Sequence, residues 1–261
     1  MRFLSTPLDL SPWVQSIWSW EAGASATPEV LITPDACCEW VMHLGVPPLE
    51  WRDGAWRRQP RVFLYGQFRR ALALHTDQAM RLLSVRFHPH TAAAFFGVGG
   101  GDLQAMPIEF ADLCKAAAAI RWLSELGDTD EVDAIYPRLL IALRKLARQA
   151  LQPDPLTATA LQLIQTLTRH EPRMRVATVA KRLHTSPRKL ERIFNREVGL
   201  SPKLYSRISR VHYAQSLLAT SAHGLAVIAH LAGYADQSHF SREVVEFCGR
   251  TPADIRLGTR P

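Results

Sequence analysis

The C-terminal part of the chain carries one local pattern twice, and this duplication restricts the fold more than any other feature. At a spacing of 50 residues, Ser186 matches Asp236, Leu190 matches Phe240, Phe194 matches Val244, Gly199 matches Gly249, and Ser201-Pro202 matches Thr251-Pro252. Upstream, Val179-Ala180 matches Ile228-Ala229 at a spacing of 49, and a one-residue difference of this kind is tolerable only in a turn. Each copy has the same grammar. A short apolar helix, Val176 to Leu183 or Leu225 to Ala232, turns an alanine inward, where a small side chain lets two helices cross closely. A turn follows, and then a helix-start residue: Ser186 with Pro187 at the first helical position, or Asp236. The second helix carries apolar residues at helical spacing, Leu190, Ile193, Phe194 and Val198 in one copy and Phe240, Val244 and Phe247 in the other. It stops at Gly199 or Gly249, as a glycine just past a helix end dictates. Two helix-turn-helix units are expected, about 174–199 and 224–249.

The second helix of such a unit enters the DNA major groove with its N-terminal residues against base edges. The outward positions are Arg188, Lys189, Glu191, Arg192 and Arg196 in the first unit and Gln237, Ser238, His239, Ser241 and Arg242 in the second. Arg pairs with both guanine acceptors, Gln pairs with adenine, and Ser or His bonds to more than one base. His239 therefore needs neither a metal nor a substrate; it is expected to contact a base or stabilise the turn. Charge agrees with this. Residues 1–150 hold 15 Lys and Arg against 16 Asp and Glu, whereas residues 151–261 hold 16 against 8, so the excess of positive charge belongs to the C-terminal part. That is the electrostatic footprint of a nucleic-acid-binding domain joined to a nearly neutral partner.

At these residues a resemblance becomes specific. The segment "GYADQSHFSREVVEFCGRTPADIR", Gly233 to Arg256, resembles the closing signature of AraC-family transcriptional regulators, and "VATVAKRLHTSPRKLERIFNREVGLSPKLY", Val176 to Tyr205, resembles the family's first helix-turn-helix, including Leu190, Arg192 and Phe194. Departures from the pattern are Val244 and Val245, where a Phe and a basic residue are usual, Ile255 in place of a Tyr, and Leu183-His184-Thr185 where a Gly is common. The resemblance implies a protein that reads two adjacent major-groove segments of double-stranded promoter DNA, about one helical turn apart, with a long helix from Ser201 to about Ala219 holding the two readers on one face. Leu204, Ile208, Val211 and Leu218 of that helix are expected inward, and Lys203, Arg207 and Arg210 against phosphate or solvent. RNA polymerase is an implied partner if the protein activates transcription.

The first 90 residues read differently. Short apolar, aromatic-rich runs such as "WVQSIWSW", "CEWVMHLG", "RVFLYGQF" and "MRLLSVRFHP" alternate with turn signals and predict strands. From Thr91 the pattern turns helical, in "TAAAFFG", "PIEFADLCKAAAAIRWLSEL" and "VDAIYPRLLIALRKLARQAL". "LQPDPLT", Leu151 to Thr157, is a strong break, and a domain boundary is placed there. Residues 1–150 (β-rich over 1–90, helical over 91–150) also resemble the N-terminal domain of one AraC-type subgroup in "LITPDACCEWVMHLG", "YGQFRRALALHT" and "LLSVRFHPHTAAAFFGV". The expected class is thus α+β: a cupin-like β-barrel with following helices, then an all-α tandem helix-turn-helix domain at 151–261. Trp18, Trp20, Trp40, Phe63, Tyr65 and Phe87 are candidates to line a pocket for a small-molecule effector, with Glu39, His43 and Arg86 as polar groups. The first domain can instead serve a homodimer or brace the second, through a face of Leu139, Ile141, Leu143 and Leu146.

Other classes are disfavoured. No C-x-x-C or zinc spacing is present among Cys37, Cys38, Cys114 and Cys248, which read as reduced structural thiols. His88-Pro89-His90 mimics a metal-binding strand but lacks the acidic residue that should follow, so no metal or other cofactor is expected. Asp35 and Glu39 would raise the Cys37 and Cys38 thiol pKa values rather than activate them, and no phosphate loop, G-x-S-x-G or H-E-x-x-H occurs, so no catalytic residue is assigned. No apolar run of about 18 residues and no signal peptide occur, which predicts a cytoplasmic chain without a membrane partner. The alternative reading is a small-molecule or metal binding protein whose helical domain no longer reads DNA.

Overall fold

Strands form where apolar residues alternate. In the computed structural model, which describes residues 1–23, 29–76, 78–103, 107–109, 122–123, 126, 131–170 and 175–258, ten strands make two antiparallel sheets. The six-stranded sheet is built from β1 (Arg2–Leu4), β2 (Val14–Ala22), β4 (Glu39–His43), β7 (Val62–Tyr65), β9 (Met80–Phe87) and β10 (Pro107–Glu109), in the order β1-β2-β9-β4-β7-β10. The four-stranded sheet holds β3 (Glu29–Ile32), β5 (Leu49–Arg52), β6 (Ala55–Arg58) and β8 (Leu72–His75), in the order β3-β8-β5-β6. This corrects the expectation of a closed barrel. Backbone pairing stays within each sheet among the described residues, and the two sheets meet instead through side chains, as where the Tyr65 hydroxyl donates to Glu50 Oε1 at 3.0 Å.

The period of two along each strand sorts residues between two environments. On β4, Trp40 and Met42 face one way and are fully buried, whereas Glu39, Val41 and His43 face the space between the sheets. On β9 the same split sends Leu83, Val85 and Phe87 to the first side and Leu82 and Arg86 to the second. Glu39 stands directly opposite Arg86 in the β4–β9 register, so an opposite-charge cross-strand pair lies on the inter-sheet face. The β5–β6 hairpin turns on Asp53 and Gly54, both at positive φ (53° and 78°), the geometry that an Asp-Gly pair supplies for a two-residue loop.

The outer face of the six-stranded sheet is covered by helices. Helix α1 (Ala92–Phe96) buries Phe95 and Phe96 against Phe87, and α2 (Val132–Ala147) adds Ile135, Leu139, Leu143 and Leu146 to the same core. Ile141 does not share the face proposed for it: it is 68% exposed, because two residues along a helix is a turn of about 200° away from Leu139. A second correction concerns "PIEFADLCKAAAAIRWLSEL", read as helical. Its first three residues are β10, paired with β7, and residues 110–121 lie outside the described residues. Cys114 is among them.

Among the described residues, seven helices follow Leu151–Asp154: α3 (Pro155–His170), α4 (Val176–Arg182), α5 (Pro187–Glu197), α6 (Pro202–Thr220), α7 (Leu225–Leu231), α8 (Gln237–Cys248) and α9 (Pro252–Gly258). They share one core, in which the inward alanines Ala180 and Ala229 are 1% exposed and Leu190, Phe194, Phe240 and Val244 are fully buried. Ile208, Val211 and Leu218 of α6 are buried as expected, and Leu204 is partly so. One residue of that core comes from far away in sequence: Ala36, at φ 62° just before β4.

Ala36 belongs to a junction between the sheet-bearing and helical parts. A 3-10 turn at Gly100–Leu103 lies against the C-terminal end of α5, where the backbones of Gly100 and Gly199 approach so closely that neither position has room for a methyl group. The Leu151 N–H donates to Ala94 O at 3.0 Å. Gln215 of α6 reaches Thr33, Nε2 to Oγ1, at 3.4 Å.

Candidate nucleic-acid interface and interior cavity

Helix α5 starts where the sequence says it should. Ser186 Oγ accepts from the Lys189 N–H at 3.1 Å, Pro187 occupies the first turn, and Gly199 at φ 77° follows its end. With Leu190, Ile193 and Phe194 buried, Arg188, Lys189, Glu191 and Arg192 project into solvent. Arg196 is also exposed but sits at the other end of the helix, paired with its neighbour Glu197 and 3.9 Å from Asp154. It therefore lies near the junction rather than at the N-terminal, base-reading end.

Helix α8 repeats the arrangement. Asp236 Oδ1 accepts from the His239 N–H at 2.7 Å, and Gly249 at φ 67° closes the helix. Gln237, Ser238 and Arg242 are exposed, while His239 and Ser241 are half-buried. The His239 ring stands edge-on to Tyr234, with centroids 5.2 Å apart, so its backbone and ring both fasten the turn to the helix. In that turn Gly233 has φ 82°, and the corresponding residue of the first unit, His184, has φ 48° without being a glycine. A left-handed conformation costs a residue with a Cβ about 1–2 kcal/mol, so Gly233→Ala is expected to lower stability by that amount. His184→Gly should leave stability unchanged or slightly raised; a loss of stability in a denaturant titration would mean the His184 side chain contributes more than its strain takes away.

Beside the second reader lies a cleft of about 450 Å³ lined from the start of α4, from α6 and from α8 by Arg175, Lys203, Ser206, Arg207, Arg210, His239 and Glu243. Two of its arginines are committed to the protein. Arg207 Nε donates to Glu243 Oε1 at 2.6 Å and its Nη2 to Glu246 Oε2 at 2.7 Å, while its guanidinium lies 4.8 Å from the Phe247 ring centroid. Arg210 lies 3.9 Å from Glu243 Oε2 and 5.4 Å from the Tyr234 ring centroid. Arg207 and Arg210 thus tie α6 to α8, and Lys203 is the exposed basic residue of the three.

The space between the sheets is a cavity of about 240 Å³. Trp18, Trp20, Phe63, Tyr65 and Phe68 supply aromatic walls, and Glu39, His43, Arg86, Asp35 and Gln59 supply polar groups. Arg86 pairs with both carboxylates, donating from Nη1 to Glu39 Oε1 at 2.9 Å and from Nη2 to Asp35. A hydrogen-bonded chain runs behind them: His43 Nε2 to Gln59 Oε1 at 3.1 Å, Gln59 Nε2 to Glu50 Oε2 at 3.0 Å, and the Tyr65 hydroxyl to the other Glu50 oxygen. Burial pushes the His43 pKa down to about 4, which keeps the imidazole neutral near pH 7. Burial, with the negative charge of Asp35 beside it, pushes the Cys37 thiol up to about 12; Cys37, Cys38 and Cys248 are all free and buried.

Trp40 is not in this cavity. Alternation along β4 turns it to the opposite face, edge-on to Phe96 at 6.3 Å, and Phe87 likewise packs in the helix-covered core. Gln59, Phe68, Leu72 and Met80 line the cavity without having been singled out from the sequence, and Asp35 and Cys37, read there only as a carboxylate beside a structural thiol, line it too. Among the described residues no group of three or more His, Cys, Asp or Glu side chains is gathered as for a metal ion, and no helix is long and apolar enough to cross a membrane.

Two family models match the chain: a "Helix-turn-helix domain" over residues 179–257 and a "Domain of unknown function (DUF6597)" over residues 3–108. The Arabinose operon regulatory proteins of Salmonella typhimurium and Escherichia coli are 27% and 26% identical to it, over 51% and 48% of this chain. The matches span 48% and 43% of those two proteins, so the chain covers about half the length of these relatives. These matches agree with the resemblance to AraC-family regulators carried by the two helix-turn-helix units. ToxT of Vibrio cholerae shares the fold across nearly the whole chain, with a TM-score of 0.51 at 14% identity, covering 92% of this chain and 97% of ToxT. A structure of ToxT described as bound to an unsaturated fatty acid aligns similarly, with a TM-score of 0.50 at 14% identity over 92% of this chain and 94% of that one.

The chain departs from the AraC-family pattern at positions whose surroundings are now visible. Val244 is fully buried and Ile255 packs against the helical core, so both changes are accommodated inside the domain. Val245 is 43% exposed, so its replacement of a basic residue removes a surface charge from α8.

Proposed function

We propose that the chain is a sequence-specific, double-stranded-DNA-binding transcriptional regulator, in which residues 151–261 read DNA and residues 1–150 modulate that reading by binding a small molecule. The observation that carries it is the pair of capped helices, α5 and α8, each with an exposed polar N-terminal face and a buried apolar one. Arg188, Lys189, Glu191 and Arg192 would read one major-groove segment, and Gln237, Ser238 and Arg242 the next, about one helical turn or roughly 34 Å away. His239 and Ser241 would support the second reader as much as touch DNA, and Arg196 would act near the junction. Lys203 would hold phosphate, which positions the protein without specifying sequence.

The cavity supports the regulatory half of this reading. Asp35 and Cys37 line it, and Ala36 between them is packed in the core of the helical part, with its carbonyl held by Gln67 Nε2 at 2.9 Å. A ligand that moved the 35–37 segment would therefore press on the helices that carry the readers, and its differential affinity for the two arrangements would set the shift in DNA binding. The fatty-acid-bound ToxT structure is a precedent for a ligand within this fold.

The test is selection of bound fragments from a genomic DNA pool by the purified full chain. One bipartite site with two short blocks about a turn apart is the expected result; failure to enrich any site, with or without candidate ligands, would remove the proposal. On the selected site, Arg192→Ala should cost about 1–3 kcal/mol and relax selectivity at one base. Gln237→Ala should affect the other block alone, and equal loss at both blocks would rule out two independent readers.

A further inference from the structure

The chemical class of the ligand is written in the charge balance of the cavity, and this inference rests on reading that cavity as a ligand site. Arg86 is the one cationic side chain among the described lining residues, and its donors are used: Nε to Gln15 Oε1 at 3.3 Å, Nη1 to Glu39 and Nη2 to Asp35. One guanidinium thus faces two carboxylates. Glu50, 2% exposed and one layer behind, is hydrogen-bonded by the neutral donors Gln59 and Tyr65, with Arg52 the cation on that side, outside the cavity lining. An anionic ligand would meet this excess and would have to displace Asp35 or Glu39 to reach Arg86.

Two further observations favour a hydrogen-bond donor with positive charge. Gln59 turns its NH₂ to Glu50 and its oxygen to His43, so His43 Nε2 is the protonated ring nitrogen and Nδ1 is left as an acceptor. That Nδ1 has no hydrogen-bond partner, on a side chain 2% exposed that lines the cavity. The walls are Trp, Phe and Tyr rings, whose faces attract cations, and 240 Å³ is below the usual range of drug-sized sites, which limits the occupant to about one ring. Burial also raises the Glu39 pKa above the ordinary carboxylate value, a penalty that a neighbouring cation would relieve.

We propose that the cavity between the sheets takes a small hydrophobic amine in its protonated form, its apolar part against Trp18, Trp20, Phe63 and Phe68 and its ammonium group beside Glu39 and Asp35. Such a ligand leaves Arg86 in place and brings the missing positive charge with it.

The experiment compares three probes of one shape, 2-phenylethylamine, 2-phenylethanol and 3-phenylpropanoate, by calorimetry and tryptophan fluorescence on the full chain at pH 7. The amine is expected to bind at least about tenfold more tightly than the alcohol, in line with a desolvated cation over aromatic faces, and the acid most weakly. Glu39→Gln should bring the amine to within about threefold of the alcohol, and Asp35→Asn should act in the same direction if Glu39→Gln does not fold. Alcohol or acid binding as tightly as the amine would overturn the assignment of a cation and leave the cavity a ligand site. Binding of none of the three would overturn both.

Discussion

Gly100→Ala is expected to destabilise the full chain by about 3 kcal/mol, whereas Gly101→Ala, one residue along, should change stability by no more than about 0.5 kcal/mol. A Cβ at Gly100 would stand 2.6 Å from Gly199 N, 2.7 Å from Asn195 O and 2.8 Å from Arg196 O; at Gly101 it would meet nothing within 4 Å. The three atoms are backbone at the end of a recognition helix and cannot swing aside as a flexible side chain would. The 3-10 turn must therefore lift off α5, or α5 must shift. Gly199→Ala meets the same obstacle from the other side and adds the left-handed penalty of φ 77°, so its loss should be larger by about 1–2 kcal/mol. At about 2–4 °C per kcal/mol for a chain of this size, the Gly100 variant should melt roughly 6–12 °C below the Gly101 variant. Equal melting of the two would mean that the sheet-bearing part does not pack on α5 in solution. If the junction also carries the ligand response, Gly100→Ala should uncouple it, leaving DNA affinity the same with and without ligand.

This junction shows where sequence reading stops. Within one element, local chemistry is enough: Ser186, Pro187, Asp236, Gly199 and Gly249 marked the helix ends because caps and left-handed glycines act over a few residues. The two faces of β4 were legible too, since period two separates Glu39 and His43 from Trp40; grouping all three in one pocket overlooked that alternation. Asp53-Gly54, which had no place in the sequence reading, is a local hairpin signal of the same kind. Contacts between distant segments leave no such periodic trace. Nothing near Ala36 indicates that it completes a core built from residues 160–248, and nothing beside Gly100 names Gly199. The barrel expectation failed for a related reason: a run of half-buried strands has the same pattern whether its edges pair or two sheets merely face each other.

The same limit applies to Arg207 and Arg210, whose basic character suggested phosphate, and here the structure leads to the second large effect. Glu243, 5% exposed, holds Arg207 at 2.6 Å and faces Arg210 at 3.9 Å. Removing one member of a buried ion pair costs about 3–5 kcal/mol because the other is left uncompensated, but the Arg207 side chain is 29% exposed and partly rehydrates. Glu243→Ala should therefore cost about 2–3 kcal/mol, measured by denaturant unfolding. It should also free Arg210 from its acidic partner near Lys203, while Arg207 keeps Glu246. Each added phosphate contact steepens the fall of log affinity with log salt by about 0.9, so nonspecific DNA binding should strengthen and its salt slope should steepen by about 1. Affinity for the bipartite site should fall relative to nonspecific DNA, because α8 is no longer fixed to α6. The converse variants separate strut from phosphate ligand: Lys203→Ala should flatten the salt slope by about 1, and Arg207→Met should leave it unchanged while lowering stability. A flatter slope in Arg207→Met would place that arginine on the DNA, and Glu243 would then be its counter-ion in the unbound protein, displaced each time a promoter is engaged.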